Sequence, residues 1–375
     1  MMHDVVVVGA GLAGAAAARL LADSGRAVLV LERNDFVGGN CADEWSPEGI
    51  LVQRFGPHVI HTESREAWQF FSRFAELIPY HHRVETCVDG QNLPFPINRD
   101  TICQLFGAQI TTDEIAEFLA TEVEGSVYND PPENFRDVIV SQVGQRLYEK
   151  FFHNYTIKHW QMDPTELSAE VAARVLVRQN RDSRYFLEKY QGLPATGFSA
   201  MIDEMLNHPQ IEIRLATDYF ADRYEYDDHA KEQPIIFTGK LDSYFNFEFG
   251  HLGYRSMRYE FRALPVAKYQ TAAVVNYPND YDFTRVIEYK QMNMSKAENT
   301  VICREYPVED GIPAYVVLTP ENISRRAAYL AKAEALEAAG EVYFVGRLAE
   351  FRSYNMDEVV LSVMNKLAPL TGDIH

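Results

Sequence analysis

The sequence predicts an α/β fold in which a discontinuous Rossmann-like domain is interrupted by a helical domain and by an antiparallel β-sheet domain. Three observations carry this. The run Val5–Val8 is uniformly β-branched and leads into Gly9-Ala10-Gly11-Leu12-Ala13-Gly14. A second strand, glycine and helix pattern closes the chain at Val342–Val345, Gly346 and Met356–Leu367. Between them the texture turns helical from about residue 113 and strand-like from about residue 211.

Each element follows from its residues. Asp4–Val8 reads as a fully buried strand, residues 12–23 as an alanine-rich helix, and Ala27–Leu31 as a second buried strand ending at Glu32. Segments 113–122, 133–152 and 164–178 have helical spacing, punctuated by Pro132, Pro164 and Pro194. Strand-like runs follow at Ile211–Leu215, Ile235–Thr238, Ala272–Asn276, Arg285–Tyr289 and Val301–Glu305. Tyrosine and phenylalanine are dense between 244 and 289, as suits a sheet with one buried face. Residues 324–339 form an alanine-rich helix. The matching patterns at the two ends assign 1–80, 196–243 and 330–375 to one Rossmann-like domain. Residues 100–195 then form the helical domain, and 81–99 with 244–329 the sheet.

The chain has 375 residues, enough for two or three domains at roughly 150 residues each. Acidic residues outnumber basic ones by 54 to 35, a formal charge of -19. Such a charge repels nucleic acid and anionic membranes, and no partner of either class is expected. Cys41, Cys87, Cys103 and Cys303 have no paired spacing. That argues against a metal site and a disulfide framework, and a reducing, cytoplasmic location is expected. The apolar stretch Val5–Ala18 is broken by three glycines and is too short to span a bilayer. The acidity poses a question, because a phosphate ligand needs cations gathered locally.

Gly9 permits the tight turn, Gly11 the approach of a pyrophosphate, and Gly14 close packing of helix on sheet. The helix N-terminus offers amide donors to phosphate, and Glu32 lies where an acid binds ribose hydroxyls. The double glycine of Val37-Gly38-Gly39-Asn40 resembles the flavoprotein version of this fold. So do Val345-Gly346-Arg347 and Ile235–Gly239. FAD is therefore expected in preference to NAD.

Further motifs extend along the chain: Arg54–Thr62 (RFGPHVIHT), Tyr155–Trp160 (YTIKHW), Asp163–Leu167, Ala173–Arg178, Arg181–Phe186 and Tyr190–Pro194. Asn276–Asp280, Phe283–Arg285, Arg304–Pro307 and Gly346–Ala349 follow. Joined in this order, they resemble the flavin-dependent UDP-galactopyranose mutases over essentially the whole chain. The resemblance implies an isomerase in which N5 of reduced FAD attacks the anomeric carbon of a UDP- or dTDP-linked sugar. The sugar then recloses from pyranose to furanose with no net redox change. It further implies a role in cell-surface polysaccharide synthesis, an external reductant such as NAD(P)H, and a homodimer.

By the same resemblance Arg174 and Arg285 are catalytic and grip the diphosphate, and His58 lies by the flavin. Tyr155, Trp160, Tyr185 and Phe186 take the nucleoside, with Asn276, Tyr306 and Tyr354 as further substrate contacts. The expected FAD contacts are Gly9, Gly11, Gly14, Glu32, Arg33, Gly39, Asn40, Gly346, Arg347 and Met356. A mobile lid over 163–178 carries Arg174. Arg174, Arg285 and Arg347 should converge on one cleft.

The chain departs from the family pattern at Ser353, where a tyrosine is usual, at Ala314 within Pro313–Val316, and at Leu176, where the lid usually has proline. A lost phenol–phosphate hydrogen bond costs about 1–3 kcal/mol when nothing compensates. These changes point to a related sugar, such as a deoxy- or amino-sugar, or to a dTDP-linked one. The competing readings are a flavin oxidase or desaturase, and a nucleotide-sugar-binding protein without activity.

Overall fold

The computed structural model describes residues 3–172, 177–227, 230 and 232–372. Val5–Val8 and Val28–Leu31 pair in parallel at the centre of a five-stranded sheet. Ile211–Arg214 flanks one side, and Ile235–Phe237 followed by Val342–Phe344 the other, all parallel. A parallel sheet buried on both faces needs apolar residues throughout, which Val5–Val8 and Val28–Leu31 supply.

Helix Leu12–Asp23 packs on this sheet beneath helices Phe198–Leu206 and Met356–Thr371. Its residues Ala15 to Ala18 are completely buried, and their small side chains let three helices approach one another. Gly14 has no space for a side chain. A Cβ there would lie 1.8 Å from the carbonyl oxygen of Gly9.

The second sheet has seven strands: Pro313–Val316, Tyr254–Leu264, Thr300–Val308, Arg285–Glu288, Val274–Asn276, Val84–Val88 and Gln91–Phe95, in spatial order. The pair Val274–Asn276 with Val84–Val88 runs parallel, so the expected antiparallel sheet is mixed at one seam. Strand Tyr254–Leu264, the longest, was not evident in the sequence. Arg255, Arg258, Glu260 and Arg262 interrupt its apolar residues.

The helical region contains Ile115–Val123, Phe135–Tyr148 and Asn154–Trp160, the last two joined by a π-helical turn. The helix expected over 164–178 is not continuous. A 3-10 turn spans Pro164–Glu166 and one helical turn spans Ala169–Ala172. Leu167 is extended, and Ser168 bonds outward to the carbonyl of Leu318, so the backbone between them is claimed by neighbours. Among the described residues no helix is long and apolar enough to cross a membrane.

Candidate active site

The glycine loops form a cradle. Gly11 bridges to Gly38, and a Cβ on Gly39 would stand 3.2 Å from the Cα of Gly11. Gly11 caps helix Leu12–Asp23 without any side-chain hydrogen bond, which leaves first-turn amides for an anion. Glu32, buried at the strand end, accepts from the backbone of Ala10 (2.7 Å) and Asn34 (2.8 Å). Arg33 is exposed beside it. A Cβ on Gly346 would approach Ala13 to 2.7 Å, so the late loop reaches the same helix end. Met356 is buried at the start of the closing helix. Asn40 donates to the carbonyl of Pro313 (2.8 Å) and ties the cradle to the seven-stranded sheet. Narrow glycine walls, free amides and a strand-end acid are what a dinucleotide such as FAD requires.

One transverse row of the seven-stranded sheet carries Arg285. In register stand Thr86, Asn276, Arg285, Glu305 and Tyr259, from five different strands. Paired residues share a face, so all five project the same way. Arg285 Nε lies 2.5 Å from Glu305 Oε2, and its Nη2 lies 3.3 Å from the Tyr315 hydroxyl. Burial opposes charge on Arg285 most strongly, but Glu305, Tyr315 and Tyr155 together outweigh it, so the guanidinium stays protonated.

Arg347 approaches the same tyrosine, 6.0 Å from its ring centre. It is held by the carbonyls of Ala314 (2.9 Å) and Tyr354. Both arginines act on His58. Burial, Arg347 and Arg285 together push its imidazole down to about 4, against a weaker opposing bond to Gly56. His58 Nδ1 sits 2.9 Å from the Gly56 carbonyl, which assigns the proton to Nδ1 and leaves Nε2 as the acceptor. Two of the three expected arginines therefore meet, at Tyr315 and beside His58. Arg174, the third, lies outside the described residues, as do Ala173, Val175 and Leu176.

Helix Asn154–Trp160 forms an aromatic wall. Tyr155 stacks on His159 at 5.9 Å, and both His159 (4.9 Å) and Trp160 (6.2 Å) meet the Tyr315 ring. Arg285 and Tyr185 both act electrostatically on Tyr155, whose phenol burial pushes up. Lys158 anchors this helix by donating to the carbonyls of Tyr277, Tyr281 (2.8 Å) and Phe283 (3.1 Å). Tyr185 and Phe186 meet edge to face at 5.0 Å. Phe186 stacks on His61 at 3.6 Å, so one of its faces is already covered.

Two expected substrate contacts sit differently. Tyr306 follows Glu305 on the strand and faces the other side of the sheet, beneath Arg258 and against Phe283. Period-two alternation puts these neighbours on opposite faces. The Tyr354 phenol turns to Glu350 (3.2 Å), and only its carbonyl reaches Arg347. The sequence reading had assigned no role to Glu305, Arg255, His159 or Tyr315. Arg255 is buried and donates to Gln161 (2.7 Å) and to the Trp160 carbonyl, holding the end of the aromatic helix.

The UDP-galactopyranose mutase profile matches residues 150–353, and an NAD(P)-binding Rossmann-like domain profile matches residues 7–74. The chain belongs to the UDP-galactopyranose mutase family. A probable UDP-galactopyranose mutase of Klebsiella pneumoniae is 33% identical over 96% of this chain and 93% of its own. A dTDP-fucopyranose mutase of Escherichia coli is 32% identical over 95% of each. A crystal structure of a reduced UDP-galactopyranose mutase superposes with a TM-score of 0.76 at 17% identity, covering 99% of this chain and 94% of that one. Membership makes the protein an isomerase that uses FAD, on the Rossmann-like fold described above.

Proposed function

We propose that the chain interconverts the pyranose and furanose forms of a nucleotide-diphosphate sugar, using reduced FAD and with no net redox change. The observation that carries this is the meeting of Arg285 and Arg347 at Tyr315, beside the aromatic wall. When bound, reduced FAD supplies a nucleophilic N5 able to displace a nucleoside diphosphate from the anomeric carbon.

The protein's part is to bind, orient and retain. Gly9, Gly11, Gly14, Glu32, Gly39, Asn40, Gly346 and Met356 hold the cofactor, with Arg33 at the rim. Tyr155 and Trp160 give the base flat surface, with Tyr185 and Phe186 opposite. Arg285, Arg347 and Arg174 hold the diphosphate after the glycosidic bond breaks, so that it remains in place to recombine. Asn276, level with Arg285, offers an amide to the sugar or phosphate. His58, neutral, takes and returns a proton at Nε2. The segment from Asp163 to Arg178 excludes water. We divide the chain accordingly into a flavin domain (1–80, 196–243, 330–375), a helical lid (100–195) and a substrate sheet (81–99, 244–329). An external reductant such as NAD(P)H keeps the flavin reduced.

Ser353 and Ala314 depart from the pattern that the family resemblance implies at those positions, which favours a related sugar or a dTDP-linked one. The similarity to a dTDP-fucopyranose mutase supports this reading. Competition among nucleotide sugars for the reduced enzyme, followed by product chromatography, tests it. A deoxy- or amino-sugar, or a dTDP sugar, should be converted with the highest kcat/KM. Preference for UDP-galactopyranose over all of them would sink the altered-substrate reading.

A further inference from the structure

Glu305 is completely buried, and its two oxygens differ. Oε2 receives Arg285 Nε, whereas Oε1 has no hydrogen-bond partner among the described residues. A buried, half-satisfied carboxylate is costly, and its persistence calls for an explanation. Its surroundings supply one. Glu305 stands directly between Arg285 and Tyr259 across the sheet. Above it runs the turn at Gly56, buried with φ +89°, where a Cβ would stand 2.8 Å from Oε1 and 3.5 Å from the Tyr259 hydroxyl. That turn continues into His58, so the carboxylate is wedged between the diphosphate arginine and the loop beside the flavin.

We infer that Glu305 is the positioning residue of Arg285. It fixes the Nε edge of the guanidinium while Tyr315 holds Nη2, so the remaining Nη edge faces the cleft. A planar fork pre-set on one edge can meet two phosphate oxygens with the other, and it binds without first losing rotamer freedom. Glu305 is wholly buried against Arg285 and acts through it. Glycine suits position 56 on two counts: its φ of +89° strains other residues, and a Cβ there would press on the carboxylate that holds the arginine.

This rests on the diphosphate reading of the cleft, and the test separates the two. Binding of UDP, dTDP and the corresponding nucleosides to the FAD-loaded protein is measured by calorimetry. For Glu305→Ala we expect diphosphate affinity to fall roughly tenfold or more, as for a lost charged contact, with nucleoside affinity and flavin content within about twofold of wild type. Glu305→Gln keeps an acceptor for Nε and should recover most of the loss. It also decides the matter should the alanine variant fail to retain flavin, through a smaller loss confined to the diphosphates. Unchanged diphosphate binding, or an equal loss for nucleoside and diphosphate, would overturn the assignment. Wild-type protein that binds neither diphosphate would overturn the parent reading instead.

Discussion

Gly14 stands against Gly9, with no room between them for a methyl group: a Cβ at position 14 would lie 1.8 Å from the Gly9 carbonyl oxygen. Gly11 is different, since its Cβ would meet only Gly39 Cα at 3.8 Å, an ordinary contact. Two neighbouring glycines should therefore fail in different ways. Gly14→Ala forces helix from sheet and should lower both thermal stability and flavin content. Gly11→Ala should fold normally yet lose FAD, because in the proposed site the methyl would stand where the pyrophosphate approaches. Flavin absorbance per protein and a thermal melt separate the two. A Gly11→Ala protein with full flavin content would contradict this.

Arg285 should be needed for its fork as well as its charge. Arg285→Ala should reduce kcat/KM by about 100-fold or more, on the order of 3 kcal/mol of transition-state stabilisation. Arg285→Lys should restore little, because a point charge cannot reproduce the Glu305, Tyr315 and phosphate contacts together. Steady-state kinetics with reduced enzyme check both, and full recovery by lysine would refute the geometric role.

Tyr315 and Tyr306 make a matched pair on opposite faces of one sheet. Tyr315→Phe removes the hydroxyl beside Arg285 and should cost about 1 kcal/mol, or roughly fivefold in kcat/KM. Tyr306→Phe, under Arg258 and away from the cleft, should leave kcat/KM within about twofold. The opposite ranking would mean that the cleft uses the other face.

His82 and His159 are buried neutral. Burial, Arg285 and His61 push His82 down to about 3, and burial, Arg285 and Arg255 do the same to His159. The unfolded chain binds these protons near pH 6.5 and the folded chain does not. Stability from each site is therefore complete above about pH 6.5 and falls as the pH drops from there towards 3. The slope is about 1.4 kcal/mol per pH unit for each histidine. Melting temperatures between pH 7 and 4 should show that decline, at roughly the pH range set by these values. His82→Gln or His159→Gln should each flatten the decline, and an unaltered slope would contradict the assignment.

The sequence displayed local structure well and the transverse row poorly. The glycine triplet and Glu32 were readable because the Rossmann turn imposes residue type at fixed spacing, and Gly346 because it ends a short apolar strand. The strands at 211–214, 235–237 and 342–344 announced themselves as short apolar runs. The row from Thr86 to Tyr259 was not visible, because its members come from five strands far apart in the chain and only the register aligns them. Arg255 lay hidden in a strand whose charges masked its alternation. Glu305 and Tyr306 were indistinguishable by motif, and only the face of the strand separates them. The resemblance chose the tyrosine, whereas the geometry puts the glutamate beside Arg285.

Isomerisation without net redox change can be observed directly. Reduced protein should be incubated anaerobically with UDP-galactopyranose and with dTDP-fucopyranose, and the products resolved by chromatography and identified by NMR. The proposed function predicts a furanose isomer of at least one of them, formed over many turnovers with no oxidant present and no loss of flavin reduction. Turnover that requires oxygen and yields an oxidised sugar, with no furanose, would contradict it.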